Sequence, residues 1–291
     1  MMTRIAQAVE GIGDSFDRVA ILDDDCAHTY DLLAEAVELL ADELRAAGVR
    51  PGERVAVYIH FGHAALLAAL AVNYAGAVAI PLDTRETCAR TERKLRIAGA
   101  HWVLGHTGDD HIVEDVVGLD DPPMTAVAGD YTLVGLPGPT ARPGATAGFA
   151  FCTPEGSRCR VVDAAVLTAT AQTVAGQWGI GADDTVALGP ELGEFEAFLA
   201  AAATLVSGAT LSLTRPPDGT GEWGAASVLV HADLDGPPSD GGGPARDRLG
   251  TALFGRWSSP PPESAGHEVR ELRFPARPQS SAHSGQVRRC G

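Results

Sequence analysis

At 291 residues and 45% hydrophobic, the chain is long enough to bury a sizeable core as one large or two small domains. A formal net charge of −16 argues against nucleic acid and anionic membrane surfaces as partners, since both require a basic face. With 34 Gly, 19 Pro and only 5% aromatics, the interior has to be built from Ala, Val and Leu, and loops are frequent.

The charge is uneven: 8 Arg against 5 acids over residues 240–291 leave a net −19 for residues 1–239. Lys94 is the single lysine. Cys26, Cys88, Cys152, Cys159 and Cys290 are odd in number and widely spaced, which indicates neither a disulfide framework nor a zinc site and suits a reduced, cytoplasmic setting. Acids interrupt the first seventeen residues, and no stretch approaches the ~18 apolar residues of a membrane span, so neither secretion nor spanning is expected.

In chain order, Val19 to Leu22 reads as a short strand ended by the acidic turn Asp23-Asp24-Asp25. A helix is expected from about Asp31 to Ala47, with Leu32, Leu33, Ala36, Leu39, Leu40 and Leu44 at helical spacing and Gly48 just past the last turn. Arg54 to Ile59 reads as a buried strand after the turn Arg50-Pro51-Gly52-Glu53. A second helix, His63 to Tyr74, is mostly Ala and Leu and should pack on nearly every side; Ala77 to Ile80 follows as a strand. Thr84 to Ala98 is a third helix with Thr84 as N-cap and Gly99 as stop, and Trp102 to Leu104 is a strand. This alternation predicts a layered, mostly parallel α/β sheet with flanking helices.

Residues 118–148 read as a connecting region with one strand at Tyr131 to Val134. Strand Phe149 to Cys152 then opens into a Gly- and Ser-containing loop, followed by a helix from about Asp163 to Trp178 and a strand Thr185 to Leu188. An Ala-rich helix, Glu194 to Val206, and a strand Thr210 to Leu213 complete the pattern. Beyond Arg215, with one further strand near Ser227 to Val230, Pro, Gly, Ser and Arg dominate and a largely disordered tail is expected. The division is a first α/β subdomain over 1–117, a connector over 118–148, a second α/β segment over 149–214 and the tail over 215–291.

Three segments, Thr29-Tyr30-Asp31-Leu32-Leu33, Gly48-Val49-Arg50-Pro51-Gly52-Glu53-Arg54-Val55-Ala56 and Gly76-Ala77-Val78-Ala79-Ile80-Pro81-Leu82-Asp83, match in order and spacing a pattern seen elsewhere. They resemble the opening of the adenylate-forming (AMP-dependent synthetase/ligase) superfamily, the acyl-CoA synthetases and nonribosomal peptide synthetase adenylation domains. Gly208-Ala209-Thr210-Leu211 is similar to a later family segment. The resemblance covers roughly residues 15 to 213 and implies the fold of the family's N-terminal domain. Taken singly, each segment is first a packing or turn element.

The family's phosphate loop is similar to Thr-Ser-Gly-Ser-Thr-Gly-x-Pro-Lys-Gly, with glycine amides, hydroxyls and a lysine arranged to hold an anion. At the corresponding place, from Cys152 to Val162, this chain keeps Thr153, Gly156 and Ser157, with Arg158 or Arg160 as the cations available to replace the lysine. Pro154 removes an amide donor and Glu155 sets a carboxylate against an anion, so both oppose the ligand. The family segments for adenine, ribose and magnesium, and its C-terminal lysine, have no counterpart in the sequence. A Phe-Asp-x-Ser-like element is replaced by Glu191-Leu192-Gly193-Glu194-Phe195-Glu196.

Other clusters are weaker. His101, His106 and His111, with Asp109 and Asp110, recur every five residues and suit a solvated loop better than a metal site. His60 and His63 read as caps or surface groups. Cys152 and Cys159 have no base adjacent in sequence, and Ser157 lacks a nucleophile elbow.

The resemblance and the altered loop together imply a truncated, catalytically silent homologue, without metal or catalytic residues, that binds rather than ligates. The partner would be an intact synthetase, a carrier protein or a second copy, engaged through the Ala-rich helices at 63–74 and 194–206. The alternatives are an active ATP- and magnesium-dependent carboxylic acid ligase completed by another chain, or a remnant whose tail is read out of frame. No cofactor is expected under the first reading.

Overall fold

The computed structural model describes residues 18–23, 26–106, 124–128, 130–137, 146–153, 156–188, 194–213, 228–232 and 270–274. Thirteen strands in two sheets and five helices are present among them: β1 Val19–Asp23, β2 Cys26–Thr29, α1 Tyr30–Ala46, β3 Arg54–Val57, α2 His63–Tyr74, β4 Val78–Pro81, α3 Cys88–Ala98, β5 Trp102–His106, β6 Met124–Val127, β7 Tyr131–Gly135, β8 Gly148–Cys152, β9 Cys159–Asp163, α4 Ala164–Trp178, β10 Thr185–Leu188, α5 Glu194–Val206, β11 Thr210–Ser212, β12 Val228–Ala232 and β13 Arg270–Phe274.

One sheet has the order β13-β12-β10-β11-β1-β2 and is parallel except for the β1–β2 hairpin. The other, β6-β7-β5-β3-β4-β8-β9, is parallel through β5, β3, β4 and β8 and antiparallel at both margins. This is the expected mostly parallel α/β architecture. Its first sheet pairs β1 with β11, and its second pairs β4 with β8, so early and late stretches share both sheets.

Strand alternation decides which cluster each residue joins. Val55, Val57, Ala79, Leu104 and Phe149 join one large core that also takes Ile21, Val186 and Leu211 from the first sheet. Their neighbours Ala56, Val78, Ile80, Val103 and Ala150 join a separate cluster with Leu95 and Ala98 of α3. Helices α2 and α5 lie within the large core, and small side chains let them do so: every residue from Ala197 to Val206 is buried. Phe198 packs on Phe149 with ring centroids 4.9 Å apart, and Phe195 meets Phe151 edge-on at 5.0 Å. These helices are therefore packed into the core, and the expectation that they offer an apolar face to a partner is corrected.

The motif turns are structural. Tyr30 donates to Ala209 O at 2.7 Å and lies 3.2 Å from Leu205 O, tying α1 to the end of α5. Gly52 and Gly76 both have positive φ, 81° and 90°, and the Gly52 amide donates to Gly76 O at 2.9 Å, locking the two turns together. Glu53 accepts from the Trp102 indole at 2.7 Å.

Several expectations shift. On α1 the buried stripe is Tyr30, Leu33, Val37, Leu40, Ala41 and Leu44, while Leu32 and Leu39 are exposed, because they lie about 100° round the helix from it. Helix α3 starts at Cys88 behind Thr87, not at Thr84. Asp83 holds the preceding turn by accepting from Arg85 N at 2.9 Å and, through its carbonyl, from Glu86 N at 3.2 Å. Strands β2, β6, β9 and β13 were not expected, whereas β12 falls on the strand expected near Ser227 to Val230. Within the region expected as a tail, β12 and β13 extend the first sheet; the rest of that region, the first seventeen residues and Asp24-Asp25 lie outside the described residues. Among the described residues, no helix is long and apolar enough to cross a membrane.

Candidate functional site

The loop singled out from sequence is the connection of an antiparallel hairpin, β8–β9, in which Cys152 lies directly opposite Cys159. Gly148 at its start permits a close crossing, since a Cβ there would collide with Val162 O. Asp163 at its end caps α4 by accepting from Ala165 N at 2.7 Å, and a hydrogen bond from Thr146, followed by this amide, holds its carboxyl below the usual range.

Inside the hairpin the donors turn inward. Thr153 N donates to Arg158 O at 2.9 Å and Gly156 N to Thr153 O at 2.8 Å. The amides of Ser157 and Arg158 both point to Thr153 Oγ1, at 3.2 and 3.4 Å, and the two hydroxyls of Thr153 and Ser157 are 3.2 Å apart. Of the expected site residues, Thr153, Gly156 and Ser157 thus come together, but they bond one another. Gly156 has φ 61°, the left-handed conformation that the turn requires. Arg158 and Arg160 are exposed on the flank, with no ion pair among the described residues. Pro154, Glu155 and Glu191 to Gly193 lie outside the described residues.

Behind the loop sits a cluster that the sequence did not reveal. The side chain of Lys94 is 2% exposed and lies 2.7 Å from Glu194 and 2.9 Å from Glu86. A Cβ on Gly156 would come within 3.4 Å of the Lys94 chain and 3.5 Å of Arg93, so the loop rests on this part of α3. Glu194 also accepts from Asp83 N at 3.1 Å, which connects the end of the third motif to α5. Burial opposes the charge on Lys94, yet Glu194 and Glu86 outweigh it and keep its pKa above the ordinary lysine value. Burial pushes the Glu194 carboxyl up, more than Lys94 pulls it down. One ammonium thus sits between two carboxyls under the loop, which holds the lysine in its charged form. Burial also works against ionised Asp83, but hydrogen bonds from Arg85 hold its carboxyl below the usual range.

The histidines are dispersed. His101 accepts from Arg54 N at 3.1 Å, His106 lies edge-on to Tyr131, and His111 with Asp109 and Asp110 lies outside the described residues. His63 meets Asp23 at 2.6 Å and stacks on His28, 4.7 Å between centroids, a pairing no local spacing signals. His60 lies 3.4 Å from Thr84.

Residues 12–135 match the family model described as AMP-binding enzyme. Over 135 residues the chain is 37% identical to the phosphinothricin tripeptide synthetase PhsC of Streptomyces viridochromogenes, covering 44% of this chain and 12% of that protein. Over 82 residues it is 48% identical to a feruloyl-CoA synthase of Amycolatopsis, covering 28% of this chain and 16% of the relative. Its fold is similar to ATP-bound MatB from Rhodopseudomonas palustris, with TM-score 0.61, 20% identity, and coverage of 79% of this chain and 49% of that one. It is also similar to the Klebsiella oxytoca NpsA N-terminal subdomain, with TM-score 0.57, 18% identity, and coverage of 80% and 59%. The chain spans about half the length of these structures and a much smaller share of the curated relatives.

Proposed function

The chain carries the N-terminal sequence and fold of the adenylate-forming, AMP-binding enzyme family, and from that premise we propose that it is a catalytically silent member acting by binding. The observation that supports this most is the closed hairpin: the described amides at Thr153, Gly156, Ser157 and Arg158 are directed to acceptors inside the loop. A phosphate needs such donors free and convergent. Opening the loop would cost those hydrogen bonds, and the reward would be an anion above a buried cluster of two carboxyls and one ammonium, in a loop whose sequence also carries an acid, Glu155. Without a grip on the triphosphate, an acyl carboxylate and the α-phosphate cannot be held in line, and positioning with charge stabilisation is nearly all of the catalysis in such a transfer.

The binding role we propose is with an intact synthetase, a carrier protein or a second copy of the chain, in acyl activation or natural-product assembly. The synthetases and ligases among its relatives support that setting. The test is ATP–pyrophosphate exchange with pooled carboxylic and amino acids, run on the chain alone and beside an intact synthetase. Carboxylate-dependent exchange by the chain alone is not expected, whereas added chain should alter the rate of its partner. Exchange that disappears on Arg158→Ala and Arg160→Ala would overturn the silent reading and favour the ligase.

A further inference from the structure

We propose that Cys152 and Cys159 are a redox-active dithiol that closes the base of the β8–β9 loop as a reversible disulfide. The two residues are register partners in an antiparallel ladder. Thr153 and Arg158, the next pair, are joined by a backbone hydrogen bond, so by the alternation of such ladders the cysteines occupy the non-hydrogen-bonded position. Opposed Cα atoms there are about 4.5 Å apart, inside the ~4.4–6.8 Å that a disulfide spans and near its short limit.

Both thiols are free and half-buried, packed beside the cluster around Ala150. They face each other across the ladder, and the Cys152 thiol lowers the Cys159 pKa against the effect of burial, with the Arg54 charge assisting. The neighbouring Cys159, then burial, pushes the Cys152 thiol up. Cys159 is therefore the attacking thiolate. It attacks one sulfur of a small-molecule disulfide of the glutathione class, forming a mixed disulfide and expelling one thiolate. Cys152 then gives up its proton to solvent and attacks the Cys159 sulfur, expelling the second. The two cysteines lose two electrons and the oxidant becomes two thiols. The product links residues 152 and 159 around Thr153, Gly156 and Ser157, so the hairpin can no longer open. This site stands whether or not the chain is catalytically silent.

The test uses the full chain, treated with oxidised glutathione, blocked with iodoacetamide and digested with trypsin, which cuts after Arg158 between the two cysteines. The expected product is a pair of peptides joined only through Cys152 and Cys159, lost on treatment with dithiothreitol. Before oxidation, alkylation should reach Cys159 about tenfold faster than Cys152. In Cys152→Ser a glutathione adduct should persist at Cys159, because nothing resolves it. Stable adducts at both cysteines without a cross-link, or oxidation confined to Cys26 and Cys88, would overturn the proposal.

Discussion

Lys94 is the only lysine in the chain and is almost wholly removed from solvent between Glu86 and Glu194. Removing it strands two carboxylates, so Lys94→Met should cost about 3–5 kcal/mol in urea denaturation, and adding Glu86→Gln with Glu194→Gln should recover most of that. His28 gives a second prediction. Burial, then the neighbouring His63, lowers its pKa, and Asp23 only partly compensates. A group whose folded pKa is depressed contributes stability that is present above its unfolded value, about 6.5, and lost as pH falls below it. Thermal midpoints should therefore fall between pH 7 and 5 more steeply in the parent than in His28→Gln. Neither cluster was legible in the sequence: Lys94 and Glu194 lie 100 positions apart, and Asp23 and His63 lie 40 apart. The loop residues Thr153, Gly156 and Ser157 were singled out by the resemblance to a phosphate loop, and because they lie within five positions of one another they can bond one another in a single turn.

At the scale of elements, helices were found where periodicity was strong. Their buried faces were less certain, because Ala-rich helices carry little contrast between sides; on α1, Val37 and Ala41 supply the burial that Leu32 and Leu39 do not. Strands β2, β6 and β9, with sequences CAHT, MTAV and CRVVD, lack an apolar run and lie at sheet margins, where pairing with one neighbour defines them. In the Thr29-Tyr30 segment, which precedes the helix expected from about Asp31, the second residue proves to be a long-range tie. Tyr30→Phe keeps the ring but removes the hydroxyl that donates to Ala209 O just past the end of α5. It should cost about 1–2 kcal/mol by denaturation and increase hydrogen exchange around Ala209.

For the whole molecule, the two sheets and the core helices between them are set by alternation and small side chains, and that scaffold is what the chain shares with ATP-bound MatB. In the β8–β9 hairpin of this chain the hydroxyls and amides satisfy one another above the ion cluster of Lys94, Glu86 and Glu194. Scaffold and ligand grip are separable because the first rests on burial spread over the whole core and the second on a few donors in one turn. Calorimetric titration of the full chain with magnesium–ATP tests the claim most directly. The account predicts no saturable heat below about 1 mM nucleotide; a dissociation constant of about 10 µM or tighter, weakened by Arg158→Ala and Arg160→Ala, would contradict it.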